Sequence, residues 1–138
     1  MIGGNCLCGG VKFETASVPL IVLCHCSICR RANGGAFDAG APVPAKDFRF
    51  IQGEELIQPY ESSPGVHRCF CRVCGSRVPS MARNGELYFV PAGLFGDDLG
   101  VTPALHIFAA SKAPWWQITD DLPQFEEWVP GYGPDDQR

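Results

Sequence analysis

The chain has 138 residues, of which 46% are hydrophobic and 19% are charged, and its formal net charge is −4. This composition excludes a disordered chain and gives no support for nucleic-acid binding through bulk positive charge. No apolar run is long enough to span a bilayer, and the N-terminus lacks the basic start and long apolar core of a signal peptide. We therefore expect one cytoplasmic domain over residues 1–130, with no membrane or nucleic-acid partner.

Short apolar runs, separated by many of the sixteen glycines and twelve prolines, predict a mainly β chain. Strands are expected over residues 11–15, 20–24, 36–41, 48–52, 56–60, 67–71, 87–90 and 104–109. One helical turn is expected over residues 27–32, because Asn33-Gly34-Gly35 would end it. A short helix is expected within residues 120–128, and the polar residues 131–138 are expected to form a loose tail.

The eight cysteines form three groups along the chain: Cys6 and Cys8; Cys24, Cys26 and Cys29; Cys69, Cys71 and Cys74. In a reducing cytoplasm such groups indicate metal binding rather than disulfides. A disulfide between cysteines two residues apart would close a very small loop, against the preferred Cα separation. Thiolates at i and i+2 of an extended backbone instead face the same side, as two ligands of one ion would.

The first and last groups together supply a Cys-x-Cys pair and a Cys-x-x-Cys pair, enough for a closed tetrahedral site of four thiolates. Its natural members are Cys6, Cys8, Cys71 and Cys74. Such a site ties the N-terminus to the middle of the chain, so its metal-binding free energy becomes folding free energy. Zinc is the first choice because thiolates select it without a redox hazard, although iron can also occupy four cysteines.

The four remaining cysteines, Cys24, Cys26, Cys29 and Cys69, leave two arrangements open. Three protein ligands with an exchangeable fourth position are the pattern of a catalytic zinc, whereas four would make a closed structural site. The spacing favours the open site. Cys69 is then a spare thiol, although a fourth or an alternative ligand remains possible from its position two residues before Cys71.

An ordered set of motifs runs from about Gly3 to Trp128. Its parts are Cys6-x-Cys8-Gly9, Cys24-His25-Cys26-Ser27-x-Cys29-Arg30-Arg31, Gly34-Gly35-Ala36-Phe37, Tyr60-x-Ser62-Ser63-x-Gly65, Arg68-x-Phe70-Cys71-x-x-Cys74-Gly75-Ser76, and His106-Ile107 followed by Ser111-Lys112-Ala113-Pro114-Trp115. In these motifs the chain resembles the glutathione-dependent formaldehyde-activating enzyme family, which includes centromere-protein-V-like members.

The resemblance implies a mainly β, Mss4-like fold of short antiparallel strands with zinc knuckles and few short helices. It implies two zinc ions: a structural one on the four cysteines of the closed site, and a catalytic one on Cys24, Cys26 and Cys29. Cys69 falls where the family motif asks for no particular residue. The family's named reaction joins glutathione to formaldehyde, giving S-(hydroxymethyl)glutathione, so the resemblance implies a carbon–sulfur lyase or adduct synthase acting on a thiol and a small aldehyde.

For glutathione binding, the candidates are Arg30, Arg31, Lys112 and Trp115: the three cations could pair with carboxylates, and the indole could wall a pocket beside Trp116, Phe37 and Phe95. The alternatives are a solvated charged surface and core aromatics.

His25 and His106 are candidate proton donors, although alternation turns His25 away from the metal and an apolar strand favours a core role for His106. The acidic pairs at 120–121 and 126–127 are interpreted as solvated charges. The alternative function is a non-catalytic zinc module that binds a partner protein.

Overall fold

The computed structural model describes residues 1–96 and 98–131, and it is mainly β as predicted. Its strands are β1 (Ile2–Asn5), β2 (Lys12–Thr15), β3 (Ile21–Cys24), β4 (Asp38–Pro44), β5 (Phe48–Gln52), β6 (Ile57–Ser63), β7 (Val66–Cys71), β8 (Ser80–Met81), β9 (Leu87–Pro91) and β10 (Pro103–Ile107). Within these ranges the one α-helix is α1 (Ser27–Asn33), and 3-10 turns lie at Ala45–Asp47, Glu54–Leu56, Ala92–Leu94 and Ala109–Ser111. The expected tail beyond residue 131 lies outside the described residues.

The strands form a three-stranded sheet (β1-β2-β5), a five-stranded sheet (β10-β3-β4-β9-β8) and the hairpin β6-β7. The pairing of β10 with β3 is parallel, with His106 beside Leu23 and Ile107 beside Cys24. The other pairs of strands run antiparallel, as expected. The parallel pair matters most, because it brings the segment after β10 next to the cysteines that follow β3.

Aromatic and branched side chains of two sheets form the main core. Its members are Phe13, Val18, Ala41, Val43, Phe48, Val90 and Phe95. The Phe13 ring stacks on Phe48 at 5.6 Å and meets Phe95 edge-on at 5.5 Å. Burying each such ring contributes roughly 1.5–3 kcal/mol, so this cluster holds the two sheets together. Phe95 is therefore a core residue, which was the alternative to a place in the wall of a pocket.

Helix α1 follows β3 directly and has the boundaries that its sequence predicts within one residue. Cys26 is its N-cap, and the Cys26 sulfur accepts a hydrogen bond from the Cys29 amide. Gly34 ends it in the left-handed region at φ 71°, where its N–H donates to the Arg30 carbonyl. Glycine suits this position because a Cβ is disfavoured at positive φ. The helix therefore buries Cys29 and presents its opposite side to solvent.

The prediction of a short helix within residues 120–128 is wrong. This segment instead bonds to the backbone around β10: the Phe125 amide donates to the His106 carbonyl, and the His106 amide donates to the Pro123 carbonyl. Because these groups are satisfied by a neighbouring segment, no helical ladder forms. No helix in the described ranges has the length and hydrophobicity to cross a membrane.

Candidate metal centres and the surrounding site

Four sulfur atoms from distant parts of the chain meet in what we call the outer cysteine group: Cys6, Cys8, Cys71 and Cys74. All four lie within 4.8 Å of one another. The Cys6 and Cys8 sulfurs are 3.5 Å apart, and the Cys8 and Cys71 sulfurs are 3.9 Å apart. A zinc–sulfur distance of about 2.3 Å gives a tetrahedron with edges of about 3.8 Å. The outer cysteine group thus fits a tetrahedral thiophilic metal, as its spacing predicts.

Two matching turns build the outer cysteine group. Behind each pair of cysteines a glycine takes a positive φ of 76°, Gly9 in the first turn and Gly75 in the second. The Gly9 amide donates to the Cys6 carbonyl, and the Gly75 amide donates to the Cys71 carbonyl. Positive φ reverses the chain within a few residues, so both sulfurs of each pair face the same point. Gly75, directly after Cys74, therefore supplies the positive φ that the second turn needs.

Backbone donors also point at these sulfurs. The Val11 amide donates to the Cys6 sulfur at 3.3 Å, and the Gly10 amide donates to the Cys8 sulfur at 3.4 Å. The Ser76 hydroxyl lies 3.3 Å from the Cys74 sulfur, and hydrogen bonding to Ser76 lowers the pKa of Cys74 to about 5. Such donors stabilise the charged form of a thiol and orient a ligating sulfur.

The central cysteine group consists of Cys24, Cys26 and Cys29, which come from the end of β3, the N-cap of α1 and its first turn. Their sulfurs also lie within 4.8 Å of one another. In the described ranges no fourth cysteine, histidine, aspartate or glutamate joins them. Cys69 stands outside both groups: its amide donates to the Ser80 hydroxyl, and its side chain lines a neighbouring groove. This geometry favours the spare-thiol interpretation of Cys69.

The three central thiols strongly affect one another's ionisation. Hydrogen bonding to the Cys24 and Cys29 thiols lowers the pKa of Cys26 to about 2, while hydrogen bonding to Cys26 and Cys29 raises the pKa of Cys24. Hydrogen bonds from the neighbouring thiols therefore favour the charged form of Cys26. An Arg68 guanidinium nitrogen lies 3.6 Å from the Cys29 sulfur and adds positive charge beside the group. A divalent cation that displaced the remaining protons would suit this donor set.

A buried chain of hydrogen bonds behind the central cysteine group was missed by sequence reasoning. His25 Nε2 lies 2.8 Å from His106 Nδ1, and His106 Nε2 lies 3.0 Å from both carboxylate oxygens of Asp120. Both rings are fully buried, whereas 43% of the Asp120 side chain is exposed. Asp120, interpreted above as a solvated charge, thus accepts from a buried histidine. The motif residue His106 was the available signal, but its partners lie far apart in sequence.

His25 turns inward between two outward-facing cysteines, as strand alternation predicts. Burial lowers the pKa of His25, which keeps its ring neutral. In a neutral pair, His106 donates from Nε2 to Asp120 and accepts at Nδ1 from His25 Nε2–H. His25 Nδ1 is then left buried with no hydrogen-bond partner among the described residues. The ring therefore has no free donor for a reactant at the central cysteine group.

The side chains proposed above for glutathione binding divide between two sides of α1. Arg30 Nε donates to the His25 carbonyl at 3.3 Å, and Lys112 Nζ donates to the Trp116 carbonyl at 2.9 Å. The Trp115 side chain is 69% exposed and open to solvent. Arg31 is one residue further along the helix, so it points away from Arg30 and lines a groove on the other side.

An aromatic ring, that of Phe37, packs against His25. The Phe37 ring lies 5.4 Å from the His25 ring and 5.9 Å from the Trp116 ring. Phe37 thus packs between the buried His25 ring and Trp116, and a role of these aromatics in walling a pocket stays a prediction.

The groove beyond Arg31 lies between α1 and the hairpin β6-β7 and has a volume of about 380 Å³. Its walls are formed by Ile28, Arg31, Ala32, Tyr60, Ser62, Arg68, Cys69, Phe70 and Arg77. Arg68 links this groove to the central cysteine group through its contact with Cys29. Sequence reasoning missed Arg68 and Arg77 as site residues, although Arg68 stands inside a recognised motif.

Comparison with known proteins indicates the same family that the sequence motifs resemble. The profile of the glutathione-dependent formaldehyde-activating enzymes matches residues 1–111. A Halomonas elongata protein provisionally named as such an enzyme is 30% identical over 86% of this chain and 81% of its own length. An uncharacterized lyase of Schizosaccharomyces pombe is 31% identical over 67% of this chain and 66% of its own length.

A solved structure supports the fold as well. The crystal structure of a Rhodobacter sphaeroides protein superposes with a TM-score of 0.58 and 28% identity, over 67% of this chain and 85% of that one. Two cysteine groups able to bind metal, a mainly β fold and a family profile over most of the length all agree. The chain therefore belongs to the glutathione-dependent formaldehyde-activating enzyme family.

Proposed function

We propose that this protein is a zinc-dependent carbon–sulfur lyase or adduct synthase. It would join a thiol, glutathione, to a small aldehyde, formaldehyde, giving S-(hydroxymethyl)glutathione or a related adduct. The observation that carries this proposal is the incomplete donor set of the central cysteine group, which has three sulfurs and no fourth ligand in the described part of the chain. The family match and the lyase-named relative support an enzyme of this type.

In this proposal the two cysteine groups have different roles. The outer group would hold a structural zinc, and Cys24, Cys26 and Cys29 would hold the catalytic one. Bound there, zinc would supply a position for a substrate thiolate and some polarisation of a carbonyl. Three thiolates leave a divalent ion with a net charge of −1, which favours positioning of a thiol over Lewis-acid catalysis. The eight free cysteines also suit a reducing cytoplasm, which we propose as the location.

Side chains around the central cysteine group supply charge and position. Arg68 offsets negative charge at Cys29, which favours binding of a second anionic sulfur nearby. Arg30, Arg31 and Lys112 are proposed to attract the carboxylates of glutathione, with Trp115 as an exposed apolar contact. Arg30 and Lys112 each already use one donor on a backbone carbonyl, so Arg31 has the most donors left.

His25 and His106 are proposed to position the metal-binding turn rather than to transfer protons to a reactant. The His25 amide donates to the Ile107 carbonyl, and its ring is held by His106. With both its backbone and its ring held, His25 keeps the cysteines before and after it facing the same point. Asp120 completes this support by accepting from His106.

The proposal is tested by metal analysis together with a rate measurement. We expect two zinc ions per chain, one of which is released readily by a chelator. We also expect the protein to speed the exchange between ¹³C-formaldehyde and glutathione above the spontaneous rate, measured by exchange NMR. The matched control is Cys26→Ser, which should keep the inert zinc and lose the rate increase. Two equally inert zinc ions without any rate increase would instead support a non-catalytic zinc module that binds a partner protein.

A further inference from the structure

The groove between α1 and the hairpin β6-β7 carries a strong charge imbalance. Three of its nine lining residues are arginines, at positions 31, 68 and 77, and none is an aspartate or glutamate. This contrasts with the whole chain, whose formal net charge is −4. A positively charged concave surface on an acidic protein attracts anions locally. The groove therefore favours anionic ligands over cationic ones.

The three arginines differ in how far their donors are already used. Arg77 Nη1 donates to Asn33 Oδ1 and to Asp38 Oδ1, and Asp38 at 2.9 Å neutralises its charge. Arg68 Nε donates to the Ser62 hydroxyl, and its Nη2 faces the Cys29 sulfur. Arg31 is exposed, and within residues 1–96 and 98–131 no hydrogen bond or ion pair of its side chain is found. Arg31 is thus the most available cation, with Arg68 next.

The rest of the groove wall is apolar and exposed. Ile28 is 45% exposed and Tyr60 is 64% exposed, although both are large hydrophobic side chains. Ile28, Arg31 and Ala32 stand at i, i+3 and i+4 of α1, so one helix face offers apolar surface and a guanidinium together. Tyr60 and Phe70 come from the facing hairpin. Exposed apolar surface in a concavity indicates a binding site.

We propose that this groove binds a small organic acid with an apolar body. Its carboxylate would lie on Arg31 and Arg68, because a guanidinium can hold a carboxylate through two parallel hydrogen bonds. Its body would lie between Ile28 and Tyr60. The volume of about 380 Å³ is in the range of small-molecule sites. Glutathione is polar along its whole length, so the apolar wall favours a different acid.

The groove adjoins the central cysteine group. Arg68 lines the groove and also contacts Cys29, so an acid held there lies next to the central cysteine group. Within the proposed function, this acid would be the thiol or the aldehyde of a related adduct, bound through Arg31 in place of glutathione. Binding of the acid stands on the groove alone, and only its role as part of a substrate rests on the proposed function.

The test is calorimetric titration of the zinc-loaded protein with 3-phenylpropionate. Two matched compounds separate charge from apolar contact: 3-phenylpropanamide lacks the charge, and propionate lacks the apolar body. We expect each of them to bind at least about tenfold more weakly than the acid, because the amide loses the charge-assisted hydrogen bonds and propionate loses the buried ring. Amide NMR shifts on titration should be confined to residues 28–32, 60–62 and 68–70.

Two substitutions of Arg31 test whether its guanidinium binds the carboxylate. Arg31→Gln should weaken binding of the acid about tenfold. Arg31→Lys should weaken it less, because lysine keeps the positive charge but loses the two parallel hydrogen bonds of the guanidinium. Arg72→Gln is the matched control, since Arg72 is an exposed arginine outside the groove, and it should bind the acid as the unchanged protein does. Circular dichroism of each variant checks that the fold is kept.

Several results would overturn the inference. Equal binding by Arg31→Gln and the unchanged protein would remove the proposed carboxylate contact. Equal weakening by Arg31→Gln and Arg72→Gln would show that only bulk charge matters. The amide or propionate binding as tightly as the acid would contradict the amphipathic class of ligand. Tight, Arg31-dependent binding in a protein without lyase activity would support the groove and refute only the proposed function.

Discussion

Replacement of His106 by phenylalanine tests the buried hydrogen-bond chain behind the central cysteine group. The substitution keeps an aromatic ring in β10, so it leaves no large cavity. It removes the ring nitrogens that contact His25 and Asp120. His25 Nδ1 already has no partner among the described residues, so both nitrogens of a fully buried ring would then be unpaired.

The expected loss of stability follows from this count. A buried polar group left without a partner costs about 1–3 kcal/mol. A phenyl ring is larger than an imidazole, and overpacking adds about 1–3 kcal/mol. We therefore expect His106→Phe to lower the free energy of unfolding by about 2–6 kcal/mol, or the melting temperature by roughly 10–20 °C for a chain of this size.

The assay is urea unfolding followed by circular dichroism at a fixed free zinc concentration, because bound metal contributes to the measured stability. Asp120→Asn is the matched control. Its side chain is 43% exposed, and the amide keeps an oxygen that accepts from His106, so its effect on stability should be smaller than that of His106→Phe. Release of the zinc proposed for the central cysteine group to a chelator should also be faster in His106→Phe, since His25 stands between two central cysteines.

An unchanged urea midpoint in His106→Phe would refute the reasoning, because it would mean that the buried pair contributes nothing to stability. An equal loss in His106→Phe and Asp120→Asn would also contradict it. In that case the carboxylate charge, rather than the pairing of the two rings, would hold the segment.

Three other predictions concern the metal groups. Cys71→Ser should lower the melting temperature strongly in a thermal unfolding scan, because it removes a proposed ligand whose metal binding would be coupled to folding; near-unchanged stability would show the outer assignment to be wrong. Cys26→Ser should keep the fold and lose one of two zinc ions by metal analysis, and global unfolding would make the central group structural. Gly75→Ala should lower the free energy of unfolding by about 1–2 kcal/mol in urea, because φ is 76° at this position although there is open space around a Cβ. Gly35→Ala is the control, since Gly35 has an ordinary φ, and it should lower the free energy of unfolding less. Equal effects of the two substitutions would contradict the need for a positive φ in the turn.

Much of the candidate site could be predicted because its signals are local. The spacing within each cysteine group predicted which neighbouring sulfurs face the same point, since an extended backbone or a tight turn places residues two or three apart on one side. The same alternation predicted that His25 faces inward, and Gly34 predicted where α1 ends. These features depend on the conformation of a few successive residues, which the residue types themselves determine.

Other features depend on which distant segments pair, and these only the tertiary structure decided. The parallel pairing of β10 with β3 brings His106 to His25, 81 residues earlier in the chain. The segment around Phe125 takes its backbone hydrogen bonds from β10 and so does not form the expected helix. The sequence determined which cysteines within each short group face the same side, because that geometry is local. The partners of His25 and the arginine-lined groove arise between strands and helices that no short pattern relates, so they were decided by how those elements pack.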